Sequence, residues 1–203
     1  MASVTAGLSG TLALVRGEAG WEDRLPMDAG AVFGSFWAVP LSLPAVVLAS
    51  EAARRAVLAS PDAAAMLAEA RPGVIAASAV LGALLSWGAS LFLLTRLAAR
   101  SGAGWRVSPL IVAYNWSRLL ANLVLGAIAA LAVATGAWAI MLLAGVVKAI
   151  LVLWLDVQVV RGALALTAGQ AVGAVAMVLL ARLVATWFGS VLLGPLTGGA
   201  GLG

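Results

Sequence analysis

The feature that most constrains this chain is an apolar stretch of 52 residues from Pro109 to Val160, which scattered polar residues interrupt without ending. One helix of that length would be about 78 Å long at about 1.5 Å per residue, against a bilayer core of about 30 Å. The stretch must therefore turn back once. Thr135 and Gly136 are the predicted turn, because glycine enters a tight turn without steric cost. The stretch thus predicts a hairpin of two membrane-spanning helices.

The rest of the chain is almost as apolar as this hairpin. Hydrophobic residues make up 64% of the 203 residues and charged residues 10%, whereas a soluble domain is about half apolar and about a quarter charged. Pro40 and Pro44 predict a kink in the first span. The predicted fold class is all-α: a polytopic transmembrane helical bundle of five spans, with boundaries at 30–50, 73–95, 112–134, 137–160 and 168–193.

The two ends of the chain differ from this membrane domain of residues 30–193. Residues 1–29 are predicted to form a cytoplasmic or interfacial segment. An amphipathic helix there would lie on the membrane surface through apolar residues at helical spacing: Val4, Leu8, Leu12 and Val15. Residues 194–203 contain five Gly and one Pro, which predicts a flexible tail.

The absence of two residue types from the sequence limits its chemistry. The chain has no His and no Cys, which excludes zinc sites built on them, His-ligated haem, iron–sulfur clusters, Ser–His dyads and thiol nucleophiles. We predict no catalytic, cofactor-binding or metal site and no enzymatic activity. The net charge of +4 comes from basic residues spread along the chain, so nucleic acid is not an expected partner. Arg outnumbers Lys eleven to one in an Ala-rich chain, which favours a GC-rich bacterial source.

The distribution of arginines around the predicted spans predicts the orientation. Basic residues concentrate on the cytoplasmic side of membrane proteins. Six arginines fall on the side of the N-terminus: Arg16, Arg24, Arg96, Arg100, Arg106 and Arg161. Three fall on the other side, each offset by an acidic residue: Arg54, Arg55 and Arg71. We therefore expect a bacterial inner-membrane protein with a cytoplasmic N-terminus and an external C-terminus.

Polar residues within the hairpin form the candidate site. A charge at the centre of a span costs roughly 2.5–3.5 kcal/mol on the insertion scale, so such residues usually face a partner. Arg118 lies about 17 residues before the turn and Asp156 about 20 after it, a depth difference of about 4.5 Å that an Arg side chain can bridge. Asn122 and Lys148 are nearly level by the same count. The candidate polar network is therefore Asn115, Arg118, Asn122, Lys148 and Asp156.

Two interpretations of this network are open. In the functional one, it lines a path or switch for an ion or polar solute. In the structural one, Arg118 and Asp156 hold the hairpin at the inner interface, and Lys148 makes a hydrogen bond near mid-membrane. Asn115, Arg118 and Asn122 share one face of the third span, and Gly126 continues it and allows close approach of another helix. Arg182, in the fifth span, is expected to snorkel toward the outer surface.

The run from Leu153 to Ala171 joins the predicted fourth and fifth spans through small residues. This run and the tight turn before span four resemble the bacterial relatives of the Yip1 family, small five-span membrane proteins. The sequences Asp-Leu-Tyr and Tyr-Gly of the eukaryotic members are absent, so no role in vesicle traffic is implied. The resemblance implies a non-enzymatic interaction or organising component of the membrane. The partners of such a protein would be the lipid bilayer and either other membrane proteins or a second copy of the same chain. The alternative function is a small transporter or channel subunit that uses the polar layer around Asn122 and Lys148.

Overall fold

The computed structural model describes residues 4–59 and 72–193. Three short helices come first: α1 (Val4–Arg16), α2 (Trp21–Arg24) and α3 (Ala29–Ser35). Five long helices follow: α4 (Ala38–Leu58), α5 (Pro72–Arg100), α6 (Val107–Thr135), α7 (Ala139–Leu164) and α8 (Ala168–Leu193). A 3-10 turn precedes α6, and the described ranges contain no strand. The predicted flexible tail and Arg71 lie outside the described residues.

Five segments are long and apolar enough to cross a membrane, with α3 and α4 together forming the first. This finding confirms the predicted all-α, five-span bundle, and the predicted short N-terminal helix is also present. The chain is therefore a multi-pass membrane protein.

The first span is irregular, as its prolines predict. The helix breaks between Ser35 and Ala38, one turn before Pro40. Pro40 has no N–H to donate to the carbonyl of Phe36, the residue four positions earlier. That carbonyl accepts instead from the N–H of Val39 at 3.0 Å, which is the tighter three-residue spacing. Pro44 lies inside α4.

The connections around the last two helices follow from local chemistry. Gly136 ends α6 with φ of 69°, a left-handed conformation that glycine adopts without steric cost. The predicted turn between α6 and α7 is therefore confirmed. At the start of α8 the backbone N–H of Thr167 donates to Gln170 Oε1 at 3.0 Å, and the N–H of Gln170 donates to Thr167 Oγ1 at 3.4 Å. This reciprocal capping box fixes where α8 begins.

Helix α6 is the centre of the bundle. It packs most extensively against α4 and α7, whereas α5 packs mainly against α8. Gly126 allows α4 to approach closely, because a Cβ built on it would lie 2.7 Å from the Cβ of Ala45. The small-residue contact predicted for Gly126 is thus made with α4.

Helix α1 packs against one end of the bundle, on α6 and α7. Its buried face is built on Gly7, Gly10, Thr11 and Leu14. Gly7 lies directly against the indole of Trp116 on α6. Val4, which begins the predicted apolar stripe, is 43% exposed. Val15, at the other end of the stripe, is buried in the core, and Leu8 packs against it. The stripe therefore predicted part of the contacting face but not its glycines, because a close helix–helix contact selects small residues that apolar spacing does not report.

Candidate functional site

One buried carboxylate joins three of the spanning helices. Asp156 on α7 is 1% exposed. Its Oδ1 accepts a hydrogen bond from Nη2 of Arg118 on α6. Its Oδ2 lies 2.7 Å from Nη2 of Arg182 on α8. The contact that the sequence predicts between Arg118 and Asp156 is present, and a second arginine shares the same carboxylate.

The prediction for Arg182 is wrong. Its side chain points into the bundle, where Nε donates to Ser90 Oγ at 2.9 Å and Nη2 donates to Tyr114 OH at 2.8 Å. Ser90 in turn donates to the carbonyl of Ser86 at 2.6 Å. An arginine with a carboxylate and two hydroxyls within reach gains more from these charge-assisted bonds than from extending to the membrane surface. Arg182, Ser90 and Tyr114 are site residues that the sequence did not reveal.

Asn115 connects α6 to the helices on either side of it. Its Oδ1 accepts from Trp87 Nε1 at 3.0 Å, and its Nδ2 donates to Ser35 Oγ at 2.8 Å. Both groups of the amide are therefore satisfied, and Asn115 is fully buried. Trp87 on α5 supplies a hydrogen bond within the bundle. Asn115 thus holds α3, α5 and α6 in register.

Lys148 and Asn122 face a cavity of about 230 Å³. Arg118, Asn115 and Arg182 line the same space. The side chains of Lys148 and Asn122 make no hydrogen bond or ion pair with any other residue in the described part of the chain. The structure therefore brings the second predicted pair to one cavity without bonding the two side chains to each other.

A second space of about 430 Å³ adjoins the first. Both are lined by Lys148, Asn122, Ser86, Ala83 and Val46. The second space extends toward the bundle end opposite α1, where α4 ends and α5 and α7 begin; it is lined there by Ala53, Ala79 and Met141. We call the two adjoining spaces the lysine cavity. Lys148 lies at their junction.

The fold and the site together define a class of protein: a five-span helical membrane protein with a buried carboxylate at its centre, beside a mostly apolar cavity that a few polar and charged side chains face. Comparison of the chain with protein-family models, curated proteins and solved structures finds no match. The chemistry of the site must therefore be argued from its own residues. The free groups of the site are the Lys148 ammonium, which has three N–H donors and no acceptor, and the Asn122 amide, which has both.

Proposed function

We propose that this protein is a small transporter or channel subunit whose polar solute occupies the lysine cavity. The observation that supports it is the position of Lys148, an ammonium in a membrane-spanning helix that faces open space with no bonded partner. A charged residue in a span is costly unless it has a partner. A bound solute would supply the partner that the protein does not.

The rival is the organising component that the Yip1 resemblance implies. Such a protein needs no internal cavity, and its bundle would be closed around Lys148. The lysine cavity favours the transporter over this rival. Either protein would be non-enzymatic. With the N-terminus placed in the cytoplasm of a bacterial inner membrane, as the arginines favour, the wider part of the cavity faces the outside and α1 lies on the cytoplasmic end.

The experiment uses the lack of native cysteine, which makes every introduced thiol unique. Ala83→Cys places a thiol on the lysine cavity. Leu180→Cys is the matched control, because Leu180 is 63% exposed on the outer surface of α8, where lipid would cover it. A membrane-impermeant thiol reagent is applied to sealed vesicles of each orientation, and the labelling rate is measured.

The proposal predicts fast labelling of Ala83→Cys and slow labelling of Leu180→Cys, because the reactive thiolate forms only where water reaches it. Labelling from one side only supports a transporter closed at its other end, and labelling from both sides supports a channel. If Ala83→Cys reacts no faster than Leu180→Cys, the cavity is closed to water and the organising component is the better function.

A further inference from the structure

The charges around the lysine cavity do not balance. Its wall carries three cations, Arg118, Lys148 and Arg182, and none of its lining residues is a carboxylate in the described part of the chain. Asp156 lies behind the wall and binds both arginines. Glu51, on the neighbouring α4, is bound by two arginines of its own helix, at 2.7 Å each. The centre of the bundle therefore holds a formal excess of two positive charges.

Two donor groups beside the cavity are also unused. The ammonium of Lys148 has no bonded partner, as described above. Nε of Arg118 also has no acceptor, although the protein encloses this atom. Both residues line the same 230 Å³ space. An uncompensated charge in a medium of low polarity is costly, and the unmade hydrogen bond of a buried donor adds to that cost.

We propose that the lysine cavity binds a small oxyanion, whose oxygens accept from Lys148 and Arg118. This inference rests on the proposed function and names its solute class. An oxyanion supplies the negative charge that the cavity wall lacks, and its oxygens form charge-assisted bonds, which are about twice as strong as neutral ones. The space is large enough: a water molecule takes about 30 Å³, so 230 Å³ admits a phosphate or a short carboxylate. The oxyanion comes either free from solution or as the phosphate of an anionic lipid.

The first arm of the test uses inorganic phosphate. The whole protein, in a nonionic detergent at constant ionic strength, is titrated with phosphate in a calorimeter. We expect saturable binding, weakened roughly 10- to 150-fold by Lys148→Gln, the loss that one hydrogen bond to a charged group produces. Lys148→Arg keeps the charge and is expected to restore most of the affinity. Arg161→Gln, which removes an exposed cation from the same helix, is the matched control and is expected to leave binding unchanged.

The second arm separates the two sources of the anion. Heat stability is measured in nanodiscs of phosphatidylcholine with and without phosphatidylglycerol. If the anion belongs to a lipid, phosphatidylglycerol stabilises the wild type and not Lys148→Gln, while free phosphate binds neither. If the anion comes free from solution, phosphate binds the wild type more tightly than Lys148→Gln in the calorimeter, and phosphatidylglycerol leaves heat stability unchanged. Both patterns support an oxyanion at Lys148.

Three results would overturn the inference. In the first, neither phosphate nor phosphatidylglycerol has any effect on the wild type or on Lys148→Gln. In the second, the anion binds the wild type and Lys148→Gln with equal affinity. In the third, Lys148→Gln unfolds, which would mean that the lysine holds the bundle together; its removal should instead leave heat stability unchanged or higher, since no bond is lost. Fast labelling of Ala83→Cys with no anion binding would leave the proposed function standing and refute this inference alone.

Discussion

Replacing Asp156 with asparagine is expected to destabilise the bundle more than replacing either of its arginines. One carboxylate, 1% exposed, contacts two guanidinium groups. Asp156→Asn removes the charge with little change in volume and leaves both arginines facing each other. Breaking a buried ion pair by removing one partner costs about 3–5 kcal/mol. The amide oxygen of asparagine still accepts one hydrogen bond, so the lower half of that range is expected.

Arg118→Ala is the informative comparison. It leaves Asp156 with Arg182 at 2.7 Å, so the carboxylate stays compensated. The variant then loses one hydrogen bond between charged groups, which lowers the free energy of unfolding by about 1.5–3 kcal/mol. The lower end of that range is expected because the Arg118 side chain is 17% exposed. The double variant Arg118→Ala/Asp156→Asn is expected to lose less free energy of unfolding than the sum of the two single losses. The difference should be about 0.5–3 kcal/mol, because both single changes remove the same contact.

The assay is unfolding in mixed micelles with increasing dodecyl sulfate, followed by circular dichroism, with the free energy of unfolding taken for each variant. Arg96→Ala is the control, since that arginine contacts only the ring of Phe92 among the described residues; its effect should stay within about 0.5 kcal/mol. An Arg118→Ala cost equal to that of Asp156→Asn would refute the idea that one carboxylate serves two arginines. If the losses of the two single variants are strictly additive in the double variant, the contact between Arg118 and Asp156 would be refuted.

Three further predictions concern packing and orientation. Gly126→Ala should lower the free energy of unfolding by about 1–3 kcal/mol by overpacking the contact with α4, whereas Gly145→Ala, where a Cβ meets nothing within 4 Å, should be neutral or stabilising in the same assay. Deleting residues 2–15 should leave the five spans inserted, as protease protection would report, and lower heat stability because α1 no longer packs on the bundle; loss of insertion would mean that the segment is itself a span. Reporter fusions at Gly203 and Arg100 should read external and cytoplasmic respectively, and the reverse pattern would overturn the orientation.

The hairpin contact was predictable because two fixed quantities determine it. The rise per residue of a helix is constant, and Gly136 fixes the position of the turn. Counting outward from the turn therefore places Arg118 and Asp156 at similar depths before any coordinate is known. The same count placed Asn122 level with Lys148, and both line one cavity. What counting cannot give is whether two level side chains bond to each other or face a space between them.

The position of Arg182 was not predictable in this way. Helix α8 is joined to α7 by a short connection but packs mainly against α5, so its depth and rotation depend on contacts between helices that are distant in sequence. Ser90 and Tyr114, which receive its hydrogen bonds, are single polar residues in apolar helices and carry no spacing signal. The clue that could have been used was electrostatic. One carboxylate and three cations within the spans cannot all be isolated, so a second cation was to be expected near Asp156.

We expect the shared carboxylate to set an order for assembly during synthesis. Arg118 and Asp156 belong to neighbouring helices of one hairpin, so they can pair while the hairpin leaves the translocon and before α8 is made. Arg182 reaches the bilayer later, where the second oxygen of Asp156 and the hydroxyls of Ser90 and Tyr114 receive it. A chain halted before α8 therefore keeps an inserted hairpin with a vacant acceptor, and that acceptor selects the docking position of the fifth span when it arrives.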